Sequence, residues 1–423
     1  MVITMDLQKL KAFYVDQIQD DFLPYWLKFV DHEQGGILNC INNRGDEMLS
    51  DRKFTWSQGR WLWVLARIYM LAKNGHLPKV DAAALEPVME HTFRFIADKS
   101  VYGEDDICCF VLTRDGEKLK DERTGRYDAS VYADCFALIG ASQYAKAVNN
   151  QEAVELAHRL YKSITDRIER NDFLTEPYPI PEGYKIHGIP MILVNTVQEY
   201  MDMCTHFGLD IEEPKAYAAS KVHFILDEAF DGDCYIREHI SANGNEYLLD
   251  RHVNPGHTLE DLWFLLEHLE TYGGLEEYLP RISRIAKKTF ELGWDPVYGG
   301  LLRFVDRDGG QPKGISGDSP YEQLAMDTWD MKLWWPHSEI LYVFPYLYTL
   351  TGDEDFAKLY EKSAEYVFAT FPNREIGEWI QIRTRDGSPQ EKLVALPVKD
   401  PFHILRNFIK IVELACKKEN EAC

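Results

Sequence analysis

The chain of 423 residues is expected to fold as an all-α (α/α)6 barrel with short β-hairpin loops. Three observations predict it. Apolar residues recur at three- and four-residue spacing over about twelve stretches, the period of helices that bury one face. A short strand-and-turn pattern returns after several pairs of these stretches, with a period of roughly 65–75 residues, the length of a stacked helical hairpin. No proline-rich or low-complexity linker interrupts the chain, which favours one domain spanning 1–423. Six hairpins can close into a ring, whereas an open helical-repeat scaffold, the second reading, leaves end faces to be capped.

The helical stretches lie near 6–31, 55–74, 81–98, 129–148, 151–169, 189–206, 213–229, 256–272, 275–292, 333–351, 353–371 and 401–417. The strand-and-turn pattern occurs from Gly35 to Asp46, Asp106 to Glu117, Asp233 to Asn245, Gly299 to Gly309 and Gly377 to Gly387. Alternating apolar residues that end in Asp-Gly or Asn-Gly, as at Asp115-Gly116 and Asn243-Gly244, describe a strand entering a hairpin turn.

Composition excludes several classes. Hydrophobic residues make up 45% and aromatics 13%, enough for a large core and against disorder. The net charge of −23 disfavours nucleic acid and anionic membranes as partners. No apolar signal-like run follows Asp6, Lys9 and Lys11. The stretch from Leu333 to Gly352 holds His337 and Glu339 and reads as a buried helix, not a membrane span. Eight scattered cysteines with no CxxC pair read as reduced thiols, so a cytoplasmic location is expected.

Three segments carry candidate chemistry. In Asn254-Pro255-Gly256-His257 an N-cap and a proline open a helix and place His257 in its first turn. Asp400-Pro401-Phe402-His403 repeats the layout, and Trp334-Trp335-Pro336-His337-Ser338-Glu339 is a third helix start. A helix N-terminus disfavours a nearby cation, so these imidazoles tend to remain neutral and able to accept a proton. If the helices form the inner ring, their N-termini share one rim and converge on one pocket. The tryptophans Trp334 and Trp335 are either core or the floor of a sugar pocket. No HExxH or other short metal-ligand spacing accompanies the histidines, so no metal is expected. Arg60 is flanked by Trp56, Trp61 and Trp63, which argues for a half-buried guanidinium that needs a carboxylate or substrate oxygens. Gly59 beside it costs helix stability, which points to a neighbour approaching closely there.

Together these stretches resemble the N-acylglucosamine 2-epimerase family, which includes the renin-binding protein. The resemblance rests on Trp56-Ser57-Gln58-Gly59-Arg60, Val131-Tyr132-Ala133-Asp134-Cys135-Phe136, Pro190-Met191-Ile192-Leu193-Val194-Asn195, Asn254-Pro255-Gly256-His257, Leu333 to Glu339 and Pro401-Phe402-His403, in the family's order over most of the chain. It implies an (α/α)6 barrel and an isomerase that interconverts N-acyl-D-glucosamine and N-acyl-D-mannosamine. In such a reaction C2 of the open-chain sugar is deprotonated and reprotonated. It implies catalytic roles for His257, His403, Arg60 and Glu339, and a substrate-contacting role for Asn195. His337, Trp335 and Trp56 complete the expected substrate-binding set. The family also implies a small-molecule sugar as partner and a homodimer. No cofactor is expected. ATP is an allosteric effector of some relatives, but no GxxxxGK[ST] phosphate loop is present here. Two other functions remain open at this level: a mannose–glucose 2-epimerase or aldose–ketose isomerase, and a non-catalytic barrel that binds a partner.

Overall fold

Helices form where the 3.6-residue period runs. In a computed structural model that describes residues 4–241, 246–317 and 319–422, twelve long helices follow one another. They are α1 (7–27), α2 (Thr55–Lys73), α3 (82–100), α4 (Val131–Val148), α5 (Gln151–Glu169), α6 (Gly188–His206), α7 (212–229), α8 (Pro255–Tyr272), α9 (Leu275–Gly293), α10 (Trp334–Thr351), α11 (Glu354–Thr370) and α12 (Phe402–Ala422). Helices α1, α3 and α7 each pass through a π-helical turn. Two short helices, Leu248–Arg251 and Pro320–Thr328, lie in the loops and were not signalled by periodicity.

The even-numbered helices make the inner ring. Each packs on the next, from α2 through α4, α6, α8 and α10 to α12, and α12 returns to α2. Their sequences show why. From Val131 to Ala145, α4 buries every side chain except Tyr132, as a helix enclosed on all sides must. Its outer partner α5 buries a single stripe of Ala153, Val154, Leu156, Ala157, Leu160, Tyr161 and Ile164. Four of the six outer helices start on side-chain caps: Asp6, Asp81, Asn150 and Asp353 each accept a backbone N–H of the first turn. The chain is therefore an (α/α)6 barrel.

The loops at the helix N-termini of the inner ring are tied to one another by short antiparallel pairs. The two residues leading into an inner helix pair with the loop that follows the next outer helix. Lys53 faces Leu112, Ser130 faces Thr175, Lys185 faces Ile240, His252 faces Asp306 and Lys332 faces Arg383. This corrects the hairpin expectation. The strand at 111–112 does fold back on 118–119 across Asp115-Gly116, and Arg383 bridges Pro389 across Asp386-Gly387. The 299–309 copy instead pairs Val305–Asp306 with His252–Val253. The Asn243-Gly244 turn lies outside the described residues.

Buried charges fix these loops. Lys53 donates to Asp31 at 2.9 Å, and Arg114 donates to the same carboxylate. Lys332 and Arg385 meet on Asp295 in the same way. Each aspartate opens an Asp-x-x-x-Gly-Gly segment and each arginine belongs to a Thr-Arg-Asp-Gly turn, so the repeat read in the sequence is a repeated ion-pair clamp. Removing one partner of such a buried pair typically costs about 3–5 kcal/mol.

Closest approach in the ring is between α2 and α4. A Cβ on Gly59 would lie 2.2 Å from the carbonyl oxygen of Phe136, and one on Gly140 would lie 2.5 Å from the carbonyl oxygen of Gly59. The two backbones touch where neither carries a side chain, as the position of Gly59 suggested. Gly59→Ala should therefore lower stability by about 1–3 kcal/mol, the usual range for overpacking a core. Thermal unfolding checks this, and an unchanged Tm would mean that the helices can part without loss.

Candidate active site

All six inner helices point their N-termini at one mouth of the barrel. There the chain encloses a cavity of about 240 Å³. Its wall is built from the first two turns of each: Trp56 and Arg60 on α2, Tyr132 and Phe136 on α4, Met191 and Ile192 on α6. It continues with His257 and Glu260 on α8, Trp334 and Trp335 on α10, and His403 and Arg406 on α12. On α2, α4, α8 and α12 the paired positions are three or four residues apart, one turn deeper on the same face, whereas on α6 and α10 they are adjacent.

His257 is the third residue of α8. Asn254 accepts its backbone N–H at 3.2 Å, and its ring donates from Nδ1 to Glu238 Oε1 at 2.8 Å. The side chain is about one-third exposed, at 34%. Glu238 is buried. Burial opposes its ionisation, but His257 and His187 outweigh this and hold it well below the usual carboxylate range. His187 Nε2 sits 2.8 Å from Asp261 Oδ2. Burial acts to lower its pKa, yet Asp261 and Glu238 push it up to about 10. Glu238 is thus an anion backed by a cation, and it fixes the tautomer of His257 with Nε2 left to accept a proton.

His403 has the matching arrangement. Its Nδ1 donates to Glu339 Oε1 at 2.7 Å, and Nε2 accepts from Arg60 Nη2 at 3.3 Å. Burial drives its pKa down to about 3, with the Glu260 carboxylate opposing that shift and the Arg60 and Arg406 guanidiniums adding to it. Glu339 is wholly buried, taking Trp263 Nε1–H at 2.8 Å and Arg406 Nη2–H at 2.6 Å. Arg406 also bonds Glu260. Asp400 caps α12 by accepting the N–H groups of Phe402 and His403, bonds Trp334 Nε1 at 3.2 Å, and faces Arg60 at 3.5 Å. The Arg60 guanidinium lies 4.0 Å from the centre of the Phe136 ring. Burial lowers its pKa to about 10, against the pull of Asp400, so it remains charged at neutral pH.

Trp335 lies against both imidazoles. Its ring centroid is 5.1 Å from that of His257 and 5.8 Å from that of His403. Gly256 makes the room: a Cβ there would lie 2.6 Å from the Trp335 ring. The site therefore holds two imidazoles packed against one indole, each with Nδ1 tied to a buried carboxylate, and a guanidinium against one of them. Such a set can remove a proton beside a carbonyl and stabilise the resulting oxyanion.

The residues singled out from the sequence fall into three groups. His257, His403, Arg60, Trp335 and Trp56 line one pocket. Glu339 lies behind His403, four residues on from Trp335 and so one turn deeper. His337 and Asn195 are buried and are not on the pocket wall. His337 points away because α10 starts at Trp334, which puts His337 about 200° round the helix from Trp335. It donates from Nδ1 to the Leu333 carbonyl at 2.6 Å and accepts the Leu301 N–H at Nε2, 2.9 Å away. Asn195 sits one further turn down α6 from Met191.

Sequence reasoning did not name Glu238, His187, Asp261 or Arg406. Helical spacing could have found Arg406, three residues after His403. Glu238 lies in the 233–245 strand-and-turn copy, whose alternation carries no hint of chemistry. Glu260, Glu339 and His403 bring ligand atoms to within 4.8 Å of one another, a grouping that could hold a metal ion. The Arg406 guanidinium bonds both carboxylates of that group.

The family follows from this site and from comparison. The sequence profile of N-acylglucosamine 2-epimerase matches residues 35–406. The bovine N-acylglucosamine 2-epimerase is 30% identical over 410 residues, covering 96% of this chain and 88% of that protein. The human enzyme is 30% identical over 403 residues, covering 93% and 87%. Cellobiose 2-epimerase from Bacillus thermoamylovorans has the same fold, with a TM-score of 0.75 at 20% identity, over 96% of this chain and 100% of that one. The protein is a sugar 2-epimerase, an isomerase. It belongs to the N-acylglucosamine 2-epimerase family.

Two variants separate the inner and outer roles. Arg60→Lys keeps the charge but loses the planar fork, and should lower kcat by about 2.7–4 kcal/mol of barrier. A near-normal kcat would place Arg60 in a purely structural pair with Asp400. His337→Asn should instead affect stability. Burial lowers the His337 pKa from 6.5 to about 3. The unfolded chain therefore takes up a proton that the folded chain refuses. Stability from this group is present above pH 6.5 and is lost as pH falls toward 3. Urea titrations should show a shallower loss over that window in His337→Asn than in the wild type, with little change in KM.

Proposed function

We propose that the protein interconverts N-acyl-D-glucosamine and N-acyl-D-mannosamine by moving the C2 proton of the open-chain sugar. The observation that carries this is two imidazoles on one cavity wall, each held at Nδ1 by a buried carboxylate, because epimerisation needs a base on each face of one carbon. One histidine removes the C2 proton and the other returns a proton to the opposite face. The negative charge that develops on the C1 oxygen is met by Arg60, whose Nη2 is 3.3 Å from His403 Nε2. Trp335 supplies an apolar face on which the chain of sugar carbons can lie. The identity to mammalian N-acylglucosamine 2-epimerases supports the acylated substrate. Tyr132, Phe136 and Met191, beside Arg60, offer an apolar strip suited to an acyl methyl group.

The reaction needs no metal or cofactor in this reading. The charge of Glu260 and Glu339 is already met by Arg406, and the carbonyl needs no Lewis acid where Arg60 can act. A homodimer in the cytoplasm is part of the same proposal. No helix among the described residues is long and apolar enough to cross a membrane.

Incubation in heavy water with N-acetylmannosamine, mannose or glucose tests the reaction. Deuterium should enter C2 of the N-acyl sugar, with none at C1, and exhaustive EDTA treatment should leave the rate intact. Label at C1 would identify an aldose–ketose isomerase, and a loss of rate restored by zinc or manganese would overturn the metal-free chemistry.

A further inference from the structure

The cavity has a second polar end that the epimerisation chemistry does not use. Arg303, His239, Tyr178 and Tyr321 line it. They come from four loop regions at the mouth: after α9, after α7, after α5, and the short helix Pro320–Thr328. Tyr321 joins them, with its ring 4.8 Å from that of His239 and 5.8 Å from that of Tyr178.

Three arginines line the cavity, and their partners differ. Arg60 faces Asp400, and Arg406 bonds Glu260 and Glu339. Arg303 is only 5% exposed, yet among the described residues it makes no ion pair. Its Nη1 donates to the Thr328 hydroxyl at 2.9 Å. Its Nη2 donates to the Val394 carbonyl at 2.9 Å and to the Tyr178 hydroxyl at 3.4 Å. Its Nε is buried with no partner. Neutral acceptors satisfy hydrogen bonds but leave the charge uncompensated, and a buried cation without a counter-ion is strongly disfavoured. His239, which lines the same cavity, is 4% exposed, and its Nδ1 has no hydrogen-bond partner either. The nearest catalytic carboxylate, Glu238, is held by His257 and His187 and does not serve Arg303.

We propose that Arg303, with His239 further along the same cavity wall, forms a distal subsite for an oxyanion, a phosphate or carboxylate carried by the sugar carbon farthest from C1. The substrate then spans the cavity, with C1 and C2 between the two histidines and its anionic end on Arg303. A guanidinium fork matches two oxygens of either group. The inference rests on the epimerase reading for the reacting end, and adds a preference for negative charge at the other.

The test compares N-acetylmannosamine with its 6-phosphate and with N-acetylmannosaminuronate, in the wild type, Arg303→Gln and Arg303→Lys. The readout is the ratio of kcat/KM for each anionic sugar to that for the neutral one. A charge-assisted pair predicts a wild-type ratio of about 10–100 for at least one anionic sugar. The same interaction predicts that the ratio falls at least about tenfold in Arg303→Gln and is partly kept in Arg303→Lys, whatever the absolute rates do. Which anion is favoured separates phosphate from carboxylate. A wild-type ratio near one for both anions overturns the subsite without any variant. So does a ratio unchanged in Arg303→Gln, which would make Arg303 an anchor of the Val394 loop only. Should none of the sugars turn over, the substrate reading fails, and calorimetry with inorganic phosphate at low ionic strength then decides the subsite alone. Binding to the wild type that is lost in Arg303→Gln supports it, and no binding overturns it.

Discussion

Closure of the inner ring is the constraint on which everything else depends. Six helices can share one mouth only if they run parallel and the gap between the last and the first is shut. The backbone contact of Gly59 with Phe136 and Gly140 sets how tightly that ring is drawn. Once it is shut, six N-termini face one cavity. Their unpaired N–H groups and dipoles disfavour cations at the rim, which suits neutral imidazoles that must accept protons. Residues separated by more than 340 positions, such as Arg60 and His403, become neighbours as a result.

A second layer of buried carboxylates turns this geometry into proton chemistry. Glu238 and Glu339 each take one Nδ1–H, so both imidazoles offer Nε2 to the cavity. The backing differs: Arg406 stands behind Glu339, and His187 with Asp261 stands behind Glu238. An unpaired buried carboxylate would be costly, and breaking such a pair removes about 3–5 kcal/mol. These cations therefore offset the charge of the carboxylates that hold the two rings. His403 is the more deeply buried of the two and carries the Arg60 contact, so the two bases are not equivalent. The site resists protonation on one side and remains partly open to solvent on the other.

Much of this was legible in the sequence, for physical reasons that differ by element. The twelve helices were visible because each buries a face at the 3.6-residue period, and their observed limits lie within a few residues of those read from the pattern. The first and last helices are the main exceptions: the last runs on to Ala422, and the first ends at Leu27 because residues 28–30 turn to bridge Val30 with Ile37. Gly59 announced a close helix contact, and the capped starts at Asn254 and Asp400 announced where two histidines would sit. The strands were visible, but their partners were not, since pairing with the lead-in of an inner helix is a tertiary choice. His337 looked like its two counterparts, yet a start at Trp334 rotated it into the core. Glu238, Tyr178, His239 and Arg303 were invisible as a group because a strand period says which face a residue takes, not which loops will meet.

The central claim is that His257 and His403 act on opposite faces of one carbon. Measuring C2 exchange of N-acetylmannosamine and N-acetylglucosamine in heavy water, separately with His257→Asn and His403→Asn, tests it most directly. Each variant should lose interconversion by about 10²–10⁴-fold, while still exchanging the C2 proton of one epimer only, and the retained epimer should differ between the two. Exchange of the same epimer by both variants, or wild-type interconversion by either one, would contradict the account.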